Sequence, residues 1–196
     1  NSGDRIIKIE AVLSGTLNYI FNTFNKENSF YEVVKKAVDL GYTEPDPKID
    51  LCGIDVSRKI LILARESGKK IEFSDVQNIS FLPDESINTN SKEDFLESLK
   101  NNNDHFNEML NKALKNKSRL KYVASLIDGK ASVSLKEINK DHPFYNLEGS
   151  DNITVFYTDR YKESPLVVKG AGAGGEFTAS GVFADIIKAS KKWWTL

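Results

Sequence analysis

The chain is poor in the residues that usually announce a compartment or a metal. It has one cysteine, Cys52, and two histidines, His105 and His142. One cysteine excludes an internal disulfide and points to a reducing compartment, here the cytoplasm. The two histidines have no metal-like spacing and read as structural, so no metal site is expected. Charge of one sign is also lacking: 27 basic residues face 28 acidic ones. That balance argues against nucleic acid or an anionic membrane as the main partner. No apolar run approaches the roughly 18 residues of a membrane span. The first residues, NSGDRIIKIE, have neither a signal-peptide pattern nor an initiator methionine. The chain is therefore expected to begin inside a longer protein.

What is present is ordinary soluble composition. Of 196 residues, 40% are hydrophobic and 28% charged, enough for one domain over 1–196 with a real core. Residues 5–13 are rich in isoleucine and valine and partly alternate, which predicts a strand. Ser14-Gly15-Thr16 stops it, and Leu17, Ile20, Phe21 and Phe24 then recur at helical spacing. A second helix is predicted over 29–40, ended by Gly41. The prolines of TEPDP (43–47) forbid a continuous helix there. A third helix is predicted from about 50 to 66, a surface loop over 84–92, and helices near 92–100 and 103–115. Residues 119–127 and 130–138 alternate around Asp128-Gly129, a hairpin signal. Strands at 152–158 and 165–168 and a helix over 176–190 complete the pattern. It predicts an α/β or α+β domain, a mixed sheet covered by helices.

Two stretches carry candidate chemistry. In Gly41–Lys59 a proline-stiffened loop holds Glu44 and Asp46, and the following helix offers Asp50, Asp55, Arg58 and Lys59. Asp55 and Lys59 stand four apart and share a helix face. On the wheel they oppose the arc of Ile54, Val56, Ile60, Leu61, Leu63 and Ala64. That placement suits a solvated pair worth about 0.3–0.5 kcal/mol. Ile62, however, shares their stripe, and apolar residues on both sides suit a helix whose polar patch faces a cleft. Ser14-Gly15-Thr16 is either a plain N-cap or a set of free N–H groups that hold a carboxylate or carbonyl.

The second stretch is KGAGAGG (169–175). Gly170, Gly172 and Gly175 fit G-x-G-x-x-G, the turn that brings backbone close to a pyrophosphate. That fingerprint opens a βαβ unit with an acidic residue about 20 positions on. Here 21 residues follow Gly175 and no further strand is predicted. The loop alone does not make a nucleotide-binding domain.

LSGTLNYIFN (13–22), GYTEPDPKIDLCGIDVSRK (41–59) and GAGAGGEFTASGVFADII (170–187) closely resemble the catalytic part of homoserine dehydrogenase. HPFYNLEGSDNITVFYTDRY (142–161) resembles the form fused behind an aspartate kinase. The resemblance covers nearly the whole chain. It implies NAD(P)-dependent interconversion of L-homoserine and L-aspartate 4-semialdehyde, within threonine, methionine and isoleucine biosynthesis. By the same resemblance Lys59 matches the lysine of proton transfer at the substrate oxygen, and Asp55 its carboxylate neighbour. Glu44 and Asp50 match acids that bind the polar end of homoserine. Tyr42, Thr43, Gly15 and Thr16 match other substrate positions, and Gly172 and Gly174 lie in the loop that meets the cofactor, NAD or NADP.

The residue types suit that chemistry. A lysine can give a proton, but from a reference pKa of about 10.4 it needs burial to approach neutrality, and Asp55 would oppose that shift. The resemblance further implies that the main nucleotide-binding domain precedes this region in the parent chain, with the aspartate kinase domain beyond it. It also implies a homodimer and an isolated chain without activity. Departures are Lys48-Ile49-Asp50 where Arg-Asp-Asp is frequent, Cys52 for a more usual Ser or Asn, and Ser57 for Ala. A non-catalytic dimerisation module, with strands over 119–168 pairing across a two-fold axis, is the second reading.

Overall fold

The computed structural model describes residues 3–193, the side chains of the last two of these excepted. Strand β1 (Ile6–Val12) ends at Ser14, whose hydroxyl accepts the Leu17 N–H and starts helix α1 (Gly15–Thr23). Ser29 and Glu32 form a reciprocal capping box at the start of α2 (Phe30–Asp39). The predicted third helix is two helices. Asp46 caps α3 (Pro47–Leu51), with Pro47 in its first turn, and α4 (Ile54–Glu66) starts afresh after Gly53. Gly53 has φ +70°, and a methyl there would sit 2.0 Å from the Tyr122 hydroxyl. Only glycine fits, and the left-handed residue redirects the chain. Hydropathy does not show this break, because both helices bury one face.

Phe73–Asp75 forms a single 3-10 turn, and β2 (Gln77–Ile79) follows it. Neither was predicted, since three exposed residues carry no alternation. The predicted loop over 84–92 contains a short helix, α5 (Asp84–Ile87), with Ser86 fully buried. Next come α6 (Lys92–Asn101) and α7 (Asn103–Lys115), then β3 (Arg119–Ile127) and β4 (Lys130–Ile138). The last elements are β5 (Asn152–Thr158), β6 (Leu166–Gly170) and α8 (Gly175–Trp193). Strand β6 runs two residues past the expected end, so Gly170 lies in the strand rather than in the loop.

The strands form one sheet in the order β2-β4-β3-β1-β5-β6, antiparallel except for the parallel pair β2–β4. Period-two alternation divides its side chains between two faces. Ile9, Ala11, Leu120, Tyr122, Leu126 and Val133 join the large core with the helices. Phe30 stacks on Phe106 at 4.1 Å between centroids and is met edge-on by Phe24. Val12, Val123, Ile138, Ile153 and Val155 pack a smaller core with Phe144 and Leu147 from the segment between β4 and β5. Beside it Glu10 meets Lys8 at 2.7 Å and His142 at 3.4 Å. These contacts hold the Glu10 carboxyl down at about 2, the hydrogen bond to His142 foremost.

At the end of the sheet, β6 exposes Leu166, Val167 and Val168, and α8 exposes Phe177, Val182, Phe183, Ile186 and Ile187. Among the described residues no helix is long and apolar enough to cross a membrane.

Candidate active site

A cavity of about 510 Å³ opens where four parts of the chain meet. The first turn of α1 brings Ser14, Gly15 and Thr16, and the α2–α3 loop brings Gly41, Tyr42, Thr43 and Glu44. Asp50 comes from α3, and Asp55 and Lys59 from α4. Ser150 and Asn152 at the start of β5, with Ala171–Gly174, close the far side. Every residue expected to carry chemistry, bind substrate or meet the cofactor therefore borders one space. Asp46 and Arg58 do not: Asp46 is spent capping α3, and Arg58 points to solvent.

The α3–α4 break produces this convergence. The Tyr122 hydroxyl lies over Gly53 and donates to the Asn78 side-chain oxygen, while the Asn78 amide donates to the Cys52 carbonyl at 2.8 Å. Strands β3 and β2 thus clamp the hinge from which Asp50 and Asp55 diverge. Cys52 is half-buried there, and burial pushes its thiol pKa up, which suits a packing role over a nucleophilic one.

Inside the cavity the polar groups are ordered. The Glu44 N–H donates to Asp50 Oδ2 at 2.9 Å, and the Thr16 hydroxyl donates to the Tyr42 carbonyl. Tyr42 stacks on Tyr19 at 4.5 Å, which ties the loop to α1. Burial raises the pKa of Asp50, against the hydrogen bond from the Glu44 N–H. Lys59 Nζ donates to the Leu13 carbonyl at 2.9 Å and pairs with Asp55 at 2.7 Å. The lysine side chain is 39% exposed and the aspartate 58%. The pair is thus wet, as the helical wheel suggests, and it also borders the cavity, although the apolar side that Ile62 was expected to pack is open in this structure. Ile62 itself is 59% exposed.

Two polar atoms here are buried without a partner, Thr43 Oγ1 and Asn152 Oδ1. Buried polar atoms are normally satisfied, so both are free to meet a ligand. Ser150 and Asn152 were not anticipated. Their only sequence signal is the polar run Gly149–Asn152 before a strand. The glycine loop packs closely on one of them: a methyl at Gly172 would lie 1.9 Å from Asn152 Nδ2. Side chains larger than methyl are absent from 171–174, which leaves room for a flat ring against the backbone.

The two histidines have local partners: His105 Nε2 lies 2.9 Å from the Phe81 carbonyl, and His142 faces Glu10. Among the described residues no cluster of three His, Cys, Asp or Glu is arranged to hold a metal.

Carboxylates and a lysine thus face a glycine loop across a cavity of small-molecule size. Residues 1–187 match homoserine dehydrogenase. The chain is 44% identical over 189 residues to the maize "Bifunctional aspartokinase/homoserine dehydrogenase 2, chloroplastic", covering 95% of this chain and 21% of that protein. It is 40% identical over 202 residues to the homoserine dehydrogenase of Paracoccidioides brasiliensis, covering 97% and 54%. The crystal structure of S. aureus homoserine dehydrogenase at pH 6.0 superposes with a TM-score of 0.76 at 26% identity, covering 100% of this chain and 45% of that one. The chain belongs to the homoserine dehydrogenase family. It spans about a fifth of the bifunctional relatives and about half of the monofunctional ones.

Proposed function

We propose that this chain is the catalytic and dimer-forming part of a homoserine dehydrogenase, which interconverts L-homoserine and L-aspartate 4-semialdehyde. The observation that carries the reading is the meeting of Glu44, Asp50, Asp55 and Lys59 around one cavity walled by the glycine loop. A nicotinamide cofactor, NAD or NADP, supplies or accepts the hydride when bound. The loop 171–174 forms one wall of its site, and the main binding domain lies elsewhere in the parent chain.

The chain's own residues do the rest. Lys59 holds the proton exchanged with the substrate oxygen. The Leu13 carbonyl and Asp55 aim its ammonium, and closure of the site by substrate and the rest of the parent protein removes the remaining water. Glu44 and Asp50 face the substrate ammonium, a cation that two carboxylates suit. Thr43 Oγ1 and Asn152 Oδ1, both unspent, orient the remaining polar atoms of the amino acid. Gly15 and Thr16 present the start of α1, and the Thr16–Tyr42 bond keeps the loop in place.

The exposed apolar side chains of β6 and α8 support an assembly role beside the catalytic one, since such patches mark interaction surfaces. We assign α8 to the contact with the nucleotide-binding part. Dimerisation falls to the sheet, whose β3 and β5 are already paired on both sides within the chain, while β4 is covered by β2 only over 132–134. A two-fold partner therefore has the edge of β6, the edge made by β2 and the rest of β4, or a sheet face to use. A cytoplasmic location is part of this proposal. The named plant relatives are chloroplastic, and a plastid stroma would satisfy the same single-cysteine argument.

The test is homoserine oxidation followed by NADPH or NADH formation, with the isolated 196 residues beside the full-length protein. The full-length protein is expected to turn over and the isolated chain to be inactive. Clear turnover by the isolated chain refutes the division of labour. No homoserine turnover by the full-length protein refutes the reaction. Sedimentation of the isolated chain tests the dimer, and a monomer counts against it.

A further inference from the structure

Lys121 is one of the most buried residues of the molecule, at 1% exposure, and the chemistry above does not use it. It sits on β3 between Leu120 and Tyr122, which face the large core, and alternation turns it the other way. Its ammonium is spent completely. Nζ donates to Asn18 Oδ1 at 2.9 Å, to Asn22 Oδ1 at 2.6 Å and to the Leu147 carbonyl. An ammonium has three donors, and here each has one neutral acceptor.

The two asparagines pass the contact on. The Asn18 amide donates to the Gly149 carbonyl at 3.0 Å and the Asp151 carbonyl at 3.2 Å. The Asn22 amide donates to the Leu147 carbonyl at 3.1 Å and the Gly149 carbonyl at 3.2 Å. One lysine and two asparagines thereby strap residues 147–151 onto α1. The strapped segment ends at the cavity, where a methyl on Gly15 would stand 2.9 Å from the Ser150 carbonyl. Ser150 and Asn152 form the wall there.

We propose that Lys121 is a positioning residue for the amino-acid site: its buried ammonium locks segment 147–151 against α1 and so fixes the wall made by Ser150 and Asn152. The inference rests on the homoserine reading for its kinetic consequences, but not for its structural one. Burying an ammonium with no charged partner is unfavourable unless every donor is met, and a hydrophobic residue would fill the space at less cost. The strap gives the charge a purpose.

The group also brings a pH signature. Burial first, and then repulsion from Arg119, push the Lys121 pKa down to about 8, against attraction from Glu148 on the held segment. Lys136 stands across the strand pair but is engaged with Ser125 and Glu10. Helix α1 contributes the two neutral asparagine amides. Above this pKa the amine keeps two donors for three acceptors, and one contact of the strap is lost. Stability moves the other way. Because the folded pKa lies below that of the unfolded chain, this group's contribution to stability rises with pH from about 8 to 10.5.

The experiment uses the full-length protein with Lys121→Met, Lys121→Arg and Asn22→Asp. Two readouts are taken: homoserine KM and kcat from pH 7 to 10, and hydrogen exchange of the Leu147 amide, which donates to the Phe144 carbonyl, and of the β5 amides of 152–158. In the unsubstituted protein KM is expected to rise as pH passes about 8, where the amine loses its proton. Lys121→Met is expected to raise KM about tenfold at every pH, with kcat changed far less. Its Leu147 and β5 amides are expected to exchange about tenfold faster. Lys121→Arg, permanently charged, keeps KM low and abolishes the alkaline rise. Asn22→Asp adds a counter-charge at Nζ and moves the rise to higher pH.

Unchanged KM and unchanged exchange in Lys121→Met overturn the proposal. So does a loss that appears only as a smaller folded fraction, with the alkaline rise intact in Lys121→Arg. If Lys121→Met fails to fold, the pH shifts of the Arg and Asn22→Asp variants decide. If the full-length protein does not turn over homoserine, the reaction assignment fails, and exchange in the same variants still decides the strap.

Discussion

Two lysines frame this molecule, and they are treated in opposite ways. Lys59 stands at the mouth of the cavity, 39% exposed, with Asp55 and the Leu13 carbonyl as its two partners among the described residues. Lys121 on β3 is 1% exposed, with all three donors met by neutral oxygens. One has a donor left for a ligand; the other has none. A group kept partly solvated with incomplete hydrogen bonding is ready to meet a substrate. A group buried with complete hydrogen bonding can only hold structure in place. The same side chain serves chemistry or architecture according to its count of unspent donors.

The contrast breaks most sharply at Lys59. In the full-length protein Lys59→Met is expected to lower kcat for homoserine by about 10²–10⁴-fold, the usual range for a lost proton-transfer group. Its thermal stability is expected to stay within about 0.5 kcal/mol, because the side chain is substantially exposed. Turnover within a factor of about three would remove Lys59 from the chemistry.

Gly53→Ala tests the hinge that brings both regions together. It combines a left-handed φ of +70° with a methyl 2.0 Å from the Tyr122 hydroxyl. A loss of about 2–4 kcal/mol is expected in chemical denaturation, with a raised homoserine KM, because Asp50 and Asp55 flank the hinge. Full stability in this variant would mean that the α3–α4 break is not needed.

Asp50→Asn is milder. Homoserine KM is expected to rise about tenfold, with kcat nearly kept, if the carboxylate only holds the ammonium. In the unsubstituted protein, burial raises the Asp50 pKa, so KM should begin to climb on acidification above the ordinary aspartate value of 3.8. An acid limb unchanged in Asp50→Asn would assign it to another group.

The prediction furthest from the chemistry concerns Glu10, in a second closed cluster on the face of the sheet opposite the large core. Its folded pKa is about 2 against an ordinary 4.5, lowered first by the His142 hydrogen bond. A lowered carboxyl pKa contributes stability above the ordinary value and loses it as pH falls toward the folded one. Glu10→Gln should therefore flatten the stability–pH curve between about pH 4.5 and 2, as read by urea melts. An unaltered slope would show that other carboxylates dominate acid unfolding.

Much of this was legible from residue order. The hairpin of β3 and β4 starts and ends where alternation and Asp128-Gly129 place it, and α1 starts at its serine cap. The resemblance drew attention to Glu44, Asp50, Asp55 and Lys59, which all border the cavity. Other features were invisible for physical reasons. The break at Gly53 is set by the ring of Tyr122, 69 positions away in sequence, and no local pattern encodes that contact. Strand β2 is too short and too exposed to alternate. Ser150 gains its place in the segment held against α1, and Asn152 gains its place as the first residue of β5.

By itself the sequence determined the periodic elements, the caps and the acidic–basic motif, because these depend on neighbours within a turn or two of the chain. Tertiary structure alone decided which lysine is open and which is closed. That depends on how many acceptors and how much water surround an ammonium. Asn18, Asn22 and Leu147 reach Lys121 from sequence positions 26 to 103 residues away.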